Sequence, residues 1–372
     1  MKYFDTYSSN TCAGSGNQLP FSTDGEISIG RIFYKISASG TYNYSFLFSN
    51  TMDSTFNDGA IAHSNLVCDS WDLISINAAV CKTCNVFDFE TPYDGNVEVG
   101  AFQTVTVNGQ ESVEVMPGMF FATDPLELSF AEGEYLCLEM AYRGDMIPYH
   151  EESILPSFVK EGNTWMHSKH LPYLSMLGCD RPVKMKIGYL GDSITQGIGV
   201  DVNSYAHWNA KLSQMLGTEY AYWNLGIGYG RVDDAASDGA WLFRAKHNDL
   251  VVVCYGVNDI MQGFSESEIK RNFDKLVDTL HRAGAKVLLQ TIPPFNPSTE
   301  EKKEIFFRVN QYLKEELSKK VEGFFDNVPV LRESAEKNYI PKYGLHPDAE
   351  GCALWAEALY PVLKETVEAC RK

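Results

Sequence analysis

The chain has 372 residues, 44% of them apolar and 22% charged, enough apolar surface to bury the cores of two ordinary domains and too much for a disordered chain. No stretch approaches the roughly 18 to 20 consecutive apolar residues of a bilayer-spanning helix, so a helical membrane protein is excluded. The net charge of −18 is uneven: residues 1–180 hold 7 Lys and Arg against 23 Asp and Glu, residues 181–372 hold 24 against 26, and so acidic a first half repels phosphate backbones and anionic lipid, leaving nucleic acid and membrane surfaces as poor partners.

The opening residues, Met1 to Asn10, lack the apolar run of a secretory signal, which predicts a cytoplasmic protein. The odd count of nine cysteines, without regular spacing, argues against a disulfide-stapled secreted scaffold. Cys81-Lys82-Thr83-Cys84 has the spacing of half a zinc site, but no second pair or spaced histidine accompanies it, and no metal is expected there.

Short alternating runs follow in chain order: Glu26–Ile36, Thr41–Phe48, Asn96–Val107, Ser112–Met116, Leu126–Phe130 and Glu134–Tyr142, with Asn108-Gly109, Pro117-Gly118 and Glu132-Gly133 between them. Strands of this length separated by turn residues predict an all-β, jelly-roll-like sandwich over residues 1–142. Residues 143–182 contain four prolines together with Trp165, Leu171, Tyr173, Leu174 and Leu177. They are too apolar for a free tether and are expected to form a packed connecting segment.

From residue 183 the pattern becomes α/β. Val183–Leu190, Tyr220–Asn224, Asp249–Tyr255 and Ala285–Ile292 are strand candidates. Helices are expected over Ser204–Leu216 and where apolar residues recur at helical spacing, at Ile269, Phe273, Leu276 and Leu280, then Phe306, Val309, Leu313 and Leu317, and last Trp355, Leu359 and Val362. Continuous β-branched runs alternating with amphipathic helices predict a three-layer domain with a parallel sheet, and such sheets carry their chemistry at the carboxyl ends of the strands.

Four short blocks fall near those ends. The first strand runs into Gly191-Asp192-Ser193-Ile194-Thr195-Gln196-Gly197: a serine on a glycine-flanked turn leaving a buried strand is presented as a nucleophile, although the same residues fit a plain capped turn. The second runs into Asn224-Leu225-Gly226-Ile227-Gly228-Tyr229-Gly230, a loop able to aim a main-chain N–H at an oxyanion and lacking the lysine of a nucleotide-binding loop. The third runs into Gly256-Val257-Asn258-Asp259, where the Asn258 amide is a candidate oxyanion donor and Asp259 more simply ties the loop. Gly344-Leu345-His346-Pro347 precedes the last helix and offers His346 as general base, each block being expected at the end of a successive strand.

These blocks resemble the SGNH (GDSL-like) hydrolases over residues 183–372. The resemblance implies catalytic Ser193 and His346, an oxyanion hole formed by Ser193, the Gly228 loop and Asn258, and no metal or organic cofactor. Two positions depart from the family pattern: Tyr229 stands where an oxyanion glycine is usual, and Tyr343 where an aspartate usually precedes the histidine. On domain order alone the chain also resembles carbohydrate esterases of family 2 and related sugar deacetylases, some of which work with a Ser-His dyad. The expectation is a serine esterase that removes short acyl groups, acetyl above all, from a neutral carbohydrate through a Ser-His acyl-enzyme, the substrate being a small-molecule or oligosaccharide ester. The alternatives are a lysophospholipase or acyl-thioesterase, and a non-catalytic glycan-binding protein.

Overall fold

The computed structural model describes residues 3–57, 60–90 and 97–371. Contacts divide the chain into two compact units, Met1–Val183 with Asp201–Ser204, and Lys184–Val200 with Tyr205–Lys372.

The first unit is strand-rich, and the pairings within its two main sheets are antiparallel. Gly40–Ser49 forms the spine of one sheet, pairing with Phe120–Ala122, Leu126–Phe130 and Met176–Cys179. In the other, Tyr135–Gly144 lies between Ser28–Lys35 and Trp71–Cys81. Of the strand expected at Asn96–Val107, Gln103–Val105 is observed, and Asn96 itself lies outside the described residues.

Trp71–Cys81 escapes the alternation rule for a physical reason. Its register against Tyr135–Gly144 shifts between Ala141 and Tyr142, and this bulge moves the buried side chains from Trp71 and Leu73 to Ile76 and Ala78, breaking the period of two. Residues 143–182 are woven into the first unit and are not a separate connecting segment. Ser157–Glu161 pairs with Ser28–Lys35, and Met176–Cys179 pairs with Gly40–Ser49. Cys81 and Cys84 are buried in the first unit beside Cys137, Phe33 and Phe158.

The second unit is built on five parallel strands, β1 Lys186–Gly191, β2 Ala221–Gly226, β3 Leu250–Cys254, β4 Lys286–Gln290 and β5 Gly323–Phe325, in the order β2-β1-β3-β4-β5. Every residue of β3 is buried, as expected of a strand covered on both faces. The helix Glu266–Arg282 opens on a capping box between Ser265 and Glu268 and buries Ile269, Phe273, Leu276 and Leu280. Glu300–Glu315 buries Phe306, Val309 and Leu313. Ala349–Cys370 buries Trp355, Leu359 and Leu363, so Leu363 occupies the stripe position expected of Val362. With β1 lying between β2 and β3, the loops leaving these three strands converge at the carboxyl end of the sheet, Gly191 standing level with both Gly226 and Cys254.

Candidate active site

Ser193 begins the short helix Ser193–Gln196 directly after β1. The Asp192 carboxylate accepts from the Ile194 N–H at 3.0 Å and caps that turn. Gly191 and Gly226 are required by close approach: a Cβ on Gly191 would stand 2.0 Å from Thr195 Oγ1, and one on Gly226 would stand 2.1 Å from the Gln196 nitrogen. The helix that Ser193 opens therefore sits hard against the ends of β1 and β2. Among the described residues no acceptor engages the Ser193 N–H, as befits the first position of a helix.

Ser193 Oγ and His346 Nε2 are 2.8 Å apart, within hydrogen-bond reach of each other across 153 residues of sequence. The loop carrying His346 touches the loop after Ser193, where a Cβ on Gly199 (φ +105°) would lie 2.8 Å from the carbonyl oxygens of both His346 and Pro347. The expectation that each block closes a successive strand is corrected here. β5 is only three residues long, and His346 lies beyond it, past the helix Val328–Leu331 and just before Ala349–Cys370. Burial lowers the His346 pKa from its ordinary value of 6.5 and favours the neutral imidazole. Neither Tyr343 nor Asp348 hydrogen-bonds the ring; the Asp348 carboxylate accepts from the Gly351 N–H at 2.8 Å and caps the last helix.

Asn258 lies in the helix Val257–Met261, and its Nδ2 donates to the Gly230 carbonyl at 3.0 Å. One of its two amide hydrogens is so used and the other remains for a ligand. Asp259 is fully buried, its carboxyl oxygens accepting from the Val232 and Asp233 N–H groups at 3.0 and 3.3 Å. Burial pushes its pKa up to about 7 against the lowering effect of those two bonds.

The assignment of Gly228 as an oxyanion donor is corrected by its hydrogen bond: its N–H donates to Gln196 Oε1 at 2.6 Å. Next to it, Tyr229 holds a left-handed backbone with φ of 60°, a conformation costing a non-glycine residue on the order of 1 kcal/mol or more. Behind this loop lies a buried amide network that the sequence reading did not find. Asn209 Nδ2 donates to the Thr195 carbonyl at 2.5 Å, Asn224 Nδ2 to the Gln196 carbonyl at 3.2 Å, and the Gly226 N–H to Asn224 Oδ1 at 2.9 Å. Gln196 stands within the first block, but its partner is set by packing between two strand ends and leaves no mark in spacing. Among the described residues no group of three or more His, Cys, Asp or Glu side chains is set to hold a metal ion.

Residues 189–354 match the GDSL-like Lipase/Acylhydrolase family, a span that includes Ser193, the β2 loop, Asn258 and His346. The C-terminal part of the chain is thus a GDSL-like acylhydrolase domain with the SGNH hydrolase fold. Among solved structures, one similar chain is a putative lipolytic protein of the G-D-S-L family from Desulfitobacterium hafniense DCB-2, 22% identical over 48% of this chain and 98% of its own, with a TM-score of 0.40. Another is a carbohydrate acetylesterase family member from Sinorhizobium meliloti, 20% identical over 49% of this chain and 99% of its own, with the same TM-score of 0.40. Comparison with curated proteins gives no match. Among the described residues no helix is long and apolar enough to cross a membrane.

Proposed function

We propose that the chain is a serine esterase that removes short acyl groups, chiefly acetyl, from a neutral carbohydrate through a Ser-His acyl-enzyme. The observation that carries the reading is the 2.8 Å approach of Ser193 Oγ to His346 Nε2 inside a GDSL-like domain. Ser193 Oγ attacks the ester carbonyl carbon while its proton passes to His346 Nε2. The negative charge that develops on the carbonyl oxygen is met by the Ser193 N–H and the remaining Asn258 amide hydrogen. The tetrahedral adduct collapses, the sugar oxygen leaves with the proton from His346, and water activated by the same imidazole then releases the acid.

The choice of a neutral sugar ester is supported by the acidity of residues 1–180, which disfavours anionic lipid, and by the resemblance of the domain order to family 2 carbohydrate esterases. The jelly-roll description of the first unit belongs to the same proposal and rests on short antiparallel strands divided by turns. Aryl esters of increasing chain length, followed by acetylated oligosaccharides, test it. Turnover is expected to fall steeply from acetyl to octanoyl and to vanish in Ser193→Ala. A rate that rises with chain length would favour the lysophospholipase or thioesterase reading, and an unaffected Ser193→Ala variant would remove the site.

A further inference from the structure

The loop after β2 is gripped on both sides of its strained residue. On one side the Gly228 N–H donates to Gln196 Oε1 at 2.6 Å; on the other the Gly230 carbonyl accepts from Asn258 Nδ2 at 3.0 Å. Between them Tyr229 has φ of 60°, a conformation that persists in a non-glycine residue only where its surroundings over-determine it. Gln196 is itself held: it is 1% exposed, and its carbonyl accepts from Asn224 Nδ2. It also closes the same short helix that Ser193 opens.

We propose that Gln196 is a positioning residue of this esterase, acting with Asn258 as a two-sided clamp that holds Tyr229 in its left-handed turn and so fixes the β2 loop against the nucleophile helix. The inference rests on the esterase reading, to which it adds a residue that neither attacks nor transfers a proton. Its physical content is that the clamp matters because residue 229 is a tyrosine. A glycine there would enter the turn without penalty, and the clamp would have less to do.

A double-mutant cycle tests this directly. Gln196→Met keeps the volume and removes the acceptor; Tyr229→Gly removes the strain. With an aryl acetate as substrate, Gln196→Met is expected to lower kcat by about tenfold or more and to change KM by less than about twofold, since Gln196 closes the short helix that Ser193 opens and slack there misplaces the attacking oxygen. In the Tyr229→Gly background the same substitution should cost less than about threefold, a coupling that independent sites do not show. Equal losses in the two backgrounds, or a Gln196→Met variant with wild-type kcat, would overturn the proposal. If Gln196→Met does not fold, Gln196→Asn withdraws the acceptor by one methylene and enters the same cycle with the same criteria. Melting temperature gives the cycle a second readout that needs no substrate: Gln196→Met should lower it by about two degrees or more in the wild type and by less beside Tyr229→Gly. Loss of ester hydrolysis in the wild type, or its survival in Ser193→Ala, would defeat the esterase reading, whereas additive melting temperatures would defeat the clamp.

Discussion

The Asp348 carboxylate faces the Gly351 N–H at 2.8 Å and not the imidazole of His346 two residues before it. The nearest acid in sequence is therefore committed to starting the last helix, and Tyr343, in the place of the usual family aspartate, packs its Cβ side against Gly351 instead. A triad normally gains its orienting bond and its charge from such an acid. Among the described residues no acid hydrogen-bonds His346, and the proposed esterase would work with Ser193 and His346 as a dyad.

The first prediction follows from that cap. Asp348→Asn should lower the ester hydrolysis rate by less than about tenfold, because it touches no reacting group, while Asp348→Ala should cost about 1 kcal/mol of stability through the lost N-cap bond. Steady-state rates and denaturation of the two variants read the two effects separately. A fall in Asp348→Asn to the level of Ser193→Ala would mean that this acid moves onto the histidine during turnover.

Acid dependence distinguishes a dyad from a triad independently. In the proposed mechanism the neutral imidazole is the base, burial lowers its pKa from 6.5, and among the described residues no carboxylate hydrogen-bonds the ring to raise it. The acid limb of kcat/KM is therefore expected to have its midpoint below pH 6.5. Protonation of the ring in the free enzyme is also opposed by folding, so the His346 contribution to stability is present above pH 6.5 and is lost as pH falls below it. A midpoint near or above pH 7 would show a carboxylate partner.

How much of this was legible in sequence depended on whether the signal was local. Val251, Val252 and Val253 announce a doubly covered strand because both faces of β3 are buried, and Ser193, Asn258 and His346 stand out because their blocks are short and continuous. Trp71–Cys81 was lost to a bulge that reverses the phase of its burial. Strands within 143–182 were hidden because each is at most five residues long, and all but Thr164–His167, which pairs with the neighbouring Ser157–Glu161, find partners more than a hundred residues earlier. The hydrogen bond between Gln196 and Gly228 joins two loops that only the order β2-β1-β3 brings together, so no spacing encodes it.

Gly199 offers a test of how tightly the loop after Ser193 and the His346 loop are seated. Its φ of +105° is unfavourable to any side chain, and a Cβ would press on the His346 and Pro347 carbonyl oxygens at 2.8 Å. Gly199→Ala should displace the histidine loop and lower kcat by about tenfold or more, since small misplacements of catalytic groups are costly. Wild-type kinetics in this variant would show that the loops yield without disturbing Ser193 and His346.

The last prediction concerns Asp259, whose buried carboxyl holds the Val232 and Asp233 N–H groups. Burial is the largest influence on it and raises its pKa from 3.8 to about 7; the two backbone bonds and Arg231 pull the other way, and Asp234 adds to the rise. The folded chain therefore keeps a proton that the unfolded chain releases near pH 4. Stability from this group is fully present below about pH 4 and is lost progressively as pH rises to about 7, after which it changes no further. Asp259→Asn cannot titrate and loses one of the two acceptors, so it starts from a lower baseline at pH 4. The wild type should then lose stability relative to the variant between about pH 4 and pH 7, and the difference should be constant above that. His346 and every other titrating group are common to both proteins and largely cancel in the comparison. Urea denaturation of the pair at unit steps of pH measures the difference, and a gap that stays constant from pH 4 to pH 8 would show that Asp259 ionises at its ordinary value and that its burial is balanced by the bonds it accepts.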